Sequence, residues 1–275
     1  MTTRATLFTL ACSAWMFGCS GGLEAEGDTQ ETIDNLIDAG FPASDIMVAE
    51  GVVYVGRDME VSLQASREML QRGSSSQEQY RTTNLISSNL RWIKIRPSSS
   101  VLSYSRLNRG LDEAIANFNE LSLRFKFIRE PVNPCVDCPQ CCPPSSMATI
   151  DFVIIPATGG GAGAGGTPSG GLPFPRFGVT ASLANESQDA IEHVITHELG
   201  HVIGLRHSDY YNRSISCGGS AVNEGSASVG AILIPGTPSS ATAGGSLMNS
   251  CIPSGTTGEF TSSDITALTY LYGQE

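Results

Sequence analysis

The sequence predicts an α/β fold of the α+β kind, in which a mixed sheet is backed by helices. Two short stretches with alternating apolar residues, 90–95 and 123–128, are typical of half-buried strands. Residues 107–121 between them carry apolar side chains at helical spacing, which predicts a long amphipathic helix. A nearly continuous apolar run at 150–155 predicts a further strand, and this order of elements favours a sheet covered by helices.

Size and charge narrow the classes of protein to which the chain can belong. Its 275 residues suffice for one large domain, or for an ordinary domain preceded by a smaller unit. The 27 acidic and 16 basic side chains give a net charge of -11, which disfavours nucleic acid as a partner. The longest early apolar run, residues 5–18, is too short to cross a bilayer, so we expect no transmembrane span.

Residues 1–19 have the layout of a secretory signal. A single basic residue precedes an apolar run, and small residues follow it. The segment that ends at Cys19 resembles a bacterial lipobox, although Met16 and Phe17 differ from the residues usual there. We therefore predict an exported protein, either a cell-envelope lipoprotein of the outer membrane anchored through Cys19 or a secreted protein.

The next stretch divides by composition into a tether and a small unit. Residues 20–28 are rich in glycine and glutamate, as expected of a tether. Residues 29–80 predict two short helices and a strand at 52–55, and they end in a Gly/Ser-rich linker. Two interpretations of this unit stay open, a pro-segment and a plain accessory domain. Residues 81–275 form the predicted main domain.

Six cysteines lie outside the predicted signal, an even number that favours disulfides in an exported protein. Four of them are clustered between Cys135 and Cys142 with prolines around them, which predicts a stapled surface loop. The same spacing could hold zinc through thiolates, which is the weaker alternative outside the cytosol. The other two, Cys217 and Cys251, are predicted to pair with each other.

A glycine-rich stretch of low complexity covers residues 157–171. No Lys-Ser or Lys-Thr pair closes it and no predicted helix follows directly, so a flexible loop is favoured over a phosphate-binding loop. Residues 177–183 beyond it predict another strand near the edge of the sheet.

All four histidines of the chain lie close together in the sequence. Asn185 and Gln188 predict the N-terminal cap of a helix that covers the first three of them. His197 and His201 are four positions apart and share one face of this helix, where they can bind one metal ion. Glu198 flanks that face and can take a proton from water at the metal.

His207 can complete the set of ligands only if the helix ends before it. In a continued helix it would lie about 9 Å along the axis from His201 and on another face, and a zinc–nitrogen bond is about 2.0–2.1 Å long. Gly204 supplies the break, because glycine adopts a left-handed conformation without a Cβ penalty. Three neutral imidazoles then leave one zinc position for water, which is the arrangement of a catalytic site.

The pattern His-Glu-x-x-His-x-x-Gly-x-x-His at 197–207 resembles the metzincin zinc signature. The chain is similar above all to the bacterial dual-action HEIGH metallopeptidases, with matrixin-like features, although Leu199 stands where that family has Ile. The likeness covers most of the chain after the signal, and the segments that carry it are 39–41, 79–85, 114–119 and 197–209.

This resemblance implies a metzincin-like catalytic domain over residues 81–275, with a mixed, mostly parallel twisted sheet, a zinc-binding helix, a Met-turn and a C-terminal helix. Met248 is the candidate Met-turn residue, with an ordinary core methionine as the alternative. No tyrosine follows it where astacins and serralysins place a fifth ligand. No cysteine lies in residues 29–80, so a matrixin-type cysteine switch is not available and latency would need another group.

These features predict an exported zinc endopeptidase that hydrolyses peptide bonds by a zinc-activated water, with Glu198 as general base. His197, His201 and His207 would hold one catalytic Zn2+. Resemblance to matrixins implies structural Ca2+, although no EF-hand-like loop is present. We expect a monomer whose partners are polypeptides, lying extended along the strand at 177–183.

Two other functions compete with this one. A surface-anchored, zinc-containing binding protein without turnover would need no base, so Glu198 argues against it. A zinc hydrolase of non-peptide amides would have a closed pocket in place of a long groove. Among the remaining polar residues, His193 is interpreted as a polar neighbour of the site, Asp209 as a loop tie or a turn residue, and Asp264 as a helix-start residue.

Overall fold

The computed structural model describes residues 21–70, 80–136, 143–157, 161–225, 232–238 and 240–274. The predicted signal and lipobox, the Gly/Ser-rich linker and three of the four clustered cysteines lie outside the described residues. No helix in the described ranges is long and apolar enough to cross a membrane.

The described chain contains seven α-helices and ten strands. The helices are α1 Gly21–Asp38, α2 Leu63–Met69, α3 Ser99–Leu102, α4 Ser105–Glu120, α5 Gln188–Val202, α6 Ser214–Cys217 and α7 Ser262–Tyr272. The strands are β1 Met47–Ala49, β2 Val52–Val55, β3 Met59–Glu60, β4 Tyr80–Arg81, β5 Trp92–Pro97, β6 Lys126–Arg129, β7 Met147–Ile155, β8 Gly163–Gly166, β9 Arg176–Thr180 and β10 Ile232–Leu233.

Eight of these strands form one sheet in the order β1-β2-β3-β8-β9-β7-β5-β6 within the described residues. Strand β5 pairs in parallel with β6 and β7, and β7 pairs in parallel with β9. Strand β8 runs antiparallel to β9, and β4 pairs with β10 outside this sheet. The predicted α/β fold with a mixed, mostly parallel sheet is confirmed.

The main core lies where α4 and α5 pack beside the sheet. Side chains of β5 point alternately to the two faces of the sheet, and Ile93 and Ile95 on the inner face are completely buried. In α4, the apolar stripe buries Leu107 and Leu111. Such burial stabilises each side chain by about 1.5–3 kcal/mol. The predicted amphipathic helix therefore forms because its stripe faces this core.

Two predictions about the middle of the chain are wrong. The expected flexible loop at 157–171 contains strand β8, whose glycines let the backbone lie directly against α5. The segment 177–183 does not lie near an edge, because β9 is enclosed between β7 and β8 and the chain then turns into a 3₁₀ helix, Ala181–Asn185.

The helix starts differ in part from those expected. Helix α5 is capped by Ser187, whose hydroxyl accepts from the Ala190 amide, so the predicted pair of Asn185 and Gln188 is wrong. Ser187 is the N-cap residue because it lies directly before the first helical residue, Gln188. Asp264 is confirmed as a helix-start residue, since it forms a capping box with Thr261 at the start of α7.

The N-terminal unit has a small core of its own. Its buried apolar residues, from Leu36 to Met69, form a cluster distinct from the main core. Helix α1 begins at Gly21, so most of the segment 20–28 is helical, although a tether is predicted there. Strand β3 joins this unit to the main sheet by pairing in parallel with β8.

The expected pairing of Cys217 with Cys251 is confirmed. Cys135 is also disulfide-bonded, which favours the stapled loop over a thiolate zinc site at this cysteine.

Candidate metal centre

Helix α5 and the turn after it bring three histidines together. His197 and His201 lie on one face of α5, which ends at Val202. The chain reverses at Gly204, which has a φ of 110°, and a Cβ there would come within 2.6 Å of the Asn84 carbonyl oxygen. This reversal returns His207 to the other two histidines.

Each of the three imidazoles is oriented by a hydrogen bond at its Nδ1 atom. The Nδ1 atoms lie close to oxygen acceptors, namely Leu247 O at 2.9 Å from His197, Leu205 O at 2.9 Å from His201, and Glu224 Oε1 at 2.9 Å from His207. Because carbonyl and carboxylate oxygens only accept, these contacts place the proton on Nδ1. The lone pairs on Nε2 then face inward, and Nε2 of His197 lies 3.2 Å from Nε2 of His207.

A fourth side chain, that of Asp58, reaches the same point from the N-terminal unit. Its Oδ2 lies 3.2 Å from Nε2 of His207 and 3.9 Å from Nε2 of His197. Its Oδ1 lies 3.8 Å from Nε2 of His201. The four donor atoms lie within 4.8 Å of one another, and this group could hold a metal ion.

The donor set fits zinc. Ligands on a tetrahedral zinc ion with bonds of about 2.0–2.1 Å are about 3.3 Å apart, close to the separation of the two Nε2 atoms above. Among the described residues, the buried Nε2 of His201 and Oδ1 of Asp58 have no hydrogen-bond partner. Buried polar atoms are rarely left unpaired, so their convergence supports a cation between them.

Glu198 lies beside the metal group on α5. Its side chain is buried, and within the described residues its Oε2 has no hydrogen-bond partner. A Cβ at Gly163 of β8 would meet Glu198 Oε1 at 2.4 Å, so only glycine allows this approach. Burial, and after it the negative charge of Asp58, raises the pKa of Glu198 well above its ordinary value.

The charges of the cluster favour a cation. Burial lowers the pKa of His201 well below its ordinary value and lowers that of His197, which keeps both rings neutral and able to bind metal. Burial alone would also lower the pKa of His207, but the carboxylates of Asp58 and Glu224 raise it well above the ordinary value, so a metal ion would take the place of the proton that they stabilise on this ring. Two acidic groups beside three imidazoles therefore offer a site for positive charge.

Met248 lies under the metal-binding helix. Its side chain is buried, and its Sδ packs against Gly200 of α5. Asp264 holds the preceding turn, since it accepts hydrogen bonds from the Ser246 hydroxyl and, at 2.9 Å, from the Leu247 amide. The start of α7 thereby positions the carbonyl that orients His197.

A pocket of about 330 Å³ opens beside the cluster and is lined by residues of α5, β8 and the segment 249–252. His193 lines it, with Nδ1 2.7 Å from Thr256 Oγ1, and does not belong to the group of four donors. Burial, with a contribution from His197, lowers the pKa of His193 to about 3. Asp209 is fully buried and accepts from the Ser250 amide at 2.9 Å, so it ties the loop after His207 to the pocket wall.

Asp58 and Glu224 are the two site residues that sequence reasoning missed. Neither belongs to a motif, and each is distant in sequence from the histidines. The pairing of β3 with β8 brings Asp58 to the site. Glu224 lies on a loop that is held there by a hydrogen bond of 2.7 Å from the Glu224 amide to Tyr210 O. Local sequence patterns carry no signal for either contact.

A mostly parallel mixed sheet, a helix bearing His-Glu-x-x-His and a third histidine after a glycine reversal define a zinc metallopeptidase. The chain belongs to the dual-action HEIGH metallopeptidase family, whose family model matches residues 53–272. The resemblance predicted from the sequence is confirmed, and the matched region includes Asp58.

Comparison with curated proteins gave no match. Among solved structures, the chain is similar to one titled "Structure of myroilysin" with a TM-score of 0.42 and 10% identity, covering 71% of this chain and 99% of that one. A second, titled "Crystal structure of myroilysin", has a TM-score of 0.36 and 10% identity, covering 85% of this chain and 96% of that one. Similarity at this level assigns neither a fold nor an activity to the chain.

Proposed function

We propose that this metallopeptidase is an exported endopeptidase with Glu198 as its general base and with His197, His201 and His207 as the ligands of one catalytic zinc. The observation that carries the proposal is the convergence of three inward-facing Nε2 atoms beside a buried carboxylate. Zinc, when bound, supplies Lewis acidity that polarises a carbonyl group and lowers the pKa of water.

The role of Glu198 is to move protons. Its carboxylate would take a proton from the attacking water and later deliver it to the leaving amine. Its buried Oε2 has no hydrogen-bond partner among the described residues, which leaves this oxygen able to accept that proton. Its rigid placement against Gly163 supports the proposal, since proton transfer requires a fixed geometry.

The substrate would lie along β8, in place of the segment 177–183 expected from the sequence. Strand β8 borders the pocket and packs on α5 next to Glu198. An extended polypeptide could pair with this strand through main-chain hydrogen bonds, as in other cases of strand addition, if it took the place of β3. This strand favours a polypeptide over a small amide as the substrate.

The same proposal includes four further properties. They are export, a lipid anchor at Cys19, a monomeric state and a Met-turn role for Met248. The disulfide between Cys217 and Cys251 supports an oxidising compartment outside the cytosol. The packing of Met248 on Gly200 supports its role beneath the metal. Structural Ca2+ stays a prediction from the resemblance alone.

Casein cleavage by the purified zinc-loaded protein tests the reaction. We expect Glu198→Ala to lose about 10²–10⁴-fold of the rate, which is the usual contribution of a general base, while keeping its zinc. Glu259→Gln is the control, because that side chain is exposed. Where the control cleaves casein measurably, an equal rate in Glu198→Ala would contradict the proposed role of Glu198.

A further inference from the structure

We propose that Asp58 supplies a fourth ligand to the metal and that the N-terminal unit, residues 21–70, thereby holds the peptidase latent. The proposal rests on the proposed function, because latency presupposes a catalytic metal with one position free for water. Since residues 29–80 contain no cysteine for a cysteine switch, Asp58 would be the group that confers latency.

The first support is the placement of the carboxylate. Asp58 Oδ2 is 3.2 Å from Nε2 of His207, and its two oxygens approach the other two Nε2 atoms to 3.8 and 3.9 Å. The side chain is only 13% exposed, and its Oδ1 has no hydrogen-bond partner in the described part of the chain. A largely buried carboxylate among three imidazoles occupies the position that a catalytic zinc site leaves open.

The second support is the turn that presents Asp58. Gly56 and Arg57 both have left-handed backbone conformations, with φ values of 63° and 78°. Such a conformation is costly for Arg57, so the surrounding contacts must hold it. One of them is a hydrogen bond of 3.0 Å from the Gly56 amide to Asp45 Oδ2.

The third support is that the same segment covers the strand proposed to bind substrate. Strand β3 pairs in parallel with β8, with the Gly165 amide donating to Asp58 O at 3.0 Å. The Thr167 amide donates to Glu60 O at 2.9 Å. These bonds use donors that an extended substrate would need, so the N-terminal unit blocks both the metal and the strand.

Further contacts attach the unit without merging its apolar cluster into the main core. The carboxylate of Glu60 bonds Arg176 at 2.8 Å, and Glu68 Oε1 accepts from the Gly170 amide at 2.9 Å. The Arg206 guanidinium lies 4.9 Å from the Phe41 ring centroid. Because the apolar cluster of the unit is distinct, its release would leave the main core intact.

The test compares zinc-loaded full-length Asp58→Asn with wild type and with Asp38→Asn. Asp38 is exposed and lies in the same unit, so it matches the chemical change without touching the metal group. The first measurement is the affinity for acetohydroxamate, a small zinc chelator, by calorimetry. If Asp58 occupies the open metal position in at least nine-tenths of the molecules, the apparent affinity for the chelator falls by about tenfold or more. Asp58→Asn should therefore bind the chelator at least about tenfold more tightly than the wild type.

The second measurement is the visible spectrum of the cobalt-substituted proteins, which reports the ligands directly. We expect Asp58→Asn alone to differ from wild type, and we expect its casein cleavage to be the fastest of the three. Unchanged chelator affinity and an unchanged cobalt spectrum in Asp58→Asn would overturn the proposal. Altered spectrum and affinity without cleavage would support Asp58 as ligand and contradict the proposed endopeptidase.

Should Asp58→Asn fail to fold, the wild-type cobalt protein still tests the proposal. Its spectrum should change little at acetohydroxamate concentrations that saturate an open three-histidine site. A full spectral change at those concentrations would show that the position is open and would overturn the proposal.

Discussion

Nδ1 of His207 lies 2.9 Å from Oε1 of Glu224, and both side chains are buried. The carboxylate fixes the ring orientation and the proton of the only metal-group histidine that stands outside α5. It also faces two cations, since Arg213 Nε lies 3.3 Å from Oε1 and Arg206 Nη2 lies 3.9 Å from Oε2. The loop that carries Glu224 is therefore part of the metal centre.

Glu224→Gln is expected to weaken zinc binding. The amide keeps the shape of the side chain but loses the charge that would strengthen His207 as the proposed ligand. Loss of such an outer partner typically costs about 10–100-fold in metal affinity. Competition with a chromophoric chelator would measure this, with Glu259→Gln as the exposed control. Equal zinc affinity in both variants would count against the role of Glu224.

The difference between predictable and missed residues follows from sequence distance. His197, His201 and Glu198 are placed by one helix, and Gly204 alone explains how His207 returns to them. Helical periodicity and the freedom of glycine are local properties, so the sequence shows them.

The missed features depend on contacts between distant segments. Glycine weakens isolated strands, which is why β8 resembles a loop in the sequence. The glycines form a strand here because they let the backbone pack against α5, and only glycine at position 163 fits beside Glu198. Asp58 in turn reaches the metal group only because β3 pairs with that strand.

Gly163→Ala is expected to displace Glu198, the proposed general base, without removing the metal. The added Cβ would lie 2.4 Å from Glu198 Oε1 and 2.8 Å from its Cδ, so the carboxylate must move. A misplacement of about 1 Å can cost about 10²-fold in rate. Casein cleavage in the Asp58→Asn background, with zinc content measured in parallel, checks this. Gly27→Ala, where nothing lies within 4 Å, is the control, and equal rates would refute the prediction.

Asp264→Asn is expected to loosen the turn that carries Met248. The buried carboxylate accepts from the Leu247 amide at 2.9 Å and from the Thr261 amide at 2.8 Å. Weakening hydrogen bonds to a buried charge should cost about 2 kcal/mol in the free energy of unfolding. Urea denaturation of the zinc-loaded protein would measure it against Asp38→Asn. A variant as stable as that control would show that the turn does not depend on this charge.

Removal of the disulfide by Cys217→Ser with Cys251→Ser is expected to lower stability. The two cysteines are 34 positions apart, and closing a loop of that length contributes about 4 kcal/mol in the chain-entropy treatment. Calorimetry should therefore show a Tm lower by roughly 10 °C. Reduction of the wild type should lower Tm at least as far, because Cys135 is also disulfide-bonded. An unchanged Tm in the double variant would contradict this estimate.

The stability of the protein should fall with rising pH through the titration of Glu192. This side chain is buried, and its Oε1 accepts from Asn117 Nδ2 at 2.9 Å. Burial raises the pKa of Glu192 to about 7, above the ordinary value of 4.5. The folded state therefore holds this proton more tightly than the unfolded chain does. The resulting stabilisation is complete below about pH 4.5 and is lost as the pH rises through 7.

Glu192→Gln imitates the protonated side chain and should remove this dependence. Its free energy of unfolding should match that of the wild type near pH 4.5 and exceed it by about 2–3 kcal/mol at pH 8. Urea denaturation at several pH values would give the difference between the two proteins, in which the effect of pH on the shared metal site cancels. Glu186→Gln, an exposed change, should follow the wild type throughout. A constant difference between Glu192→Gln and wild type across this range would show that Glu192 does not titrate there.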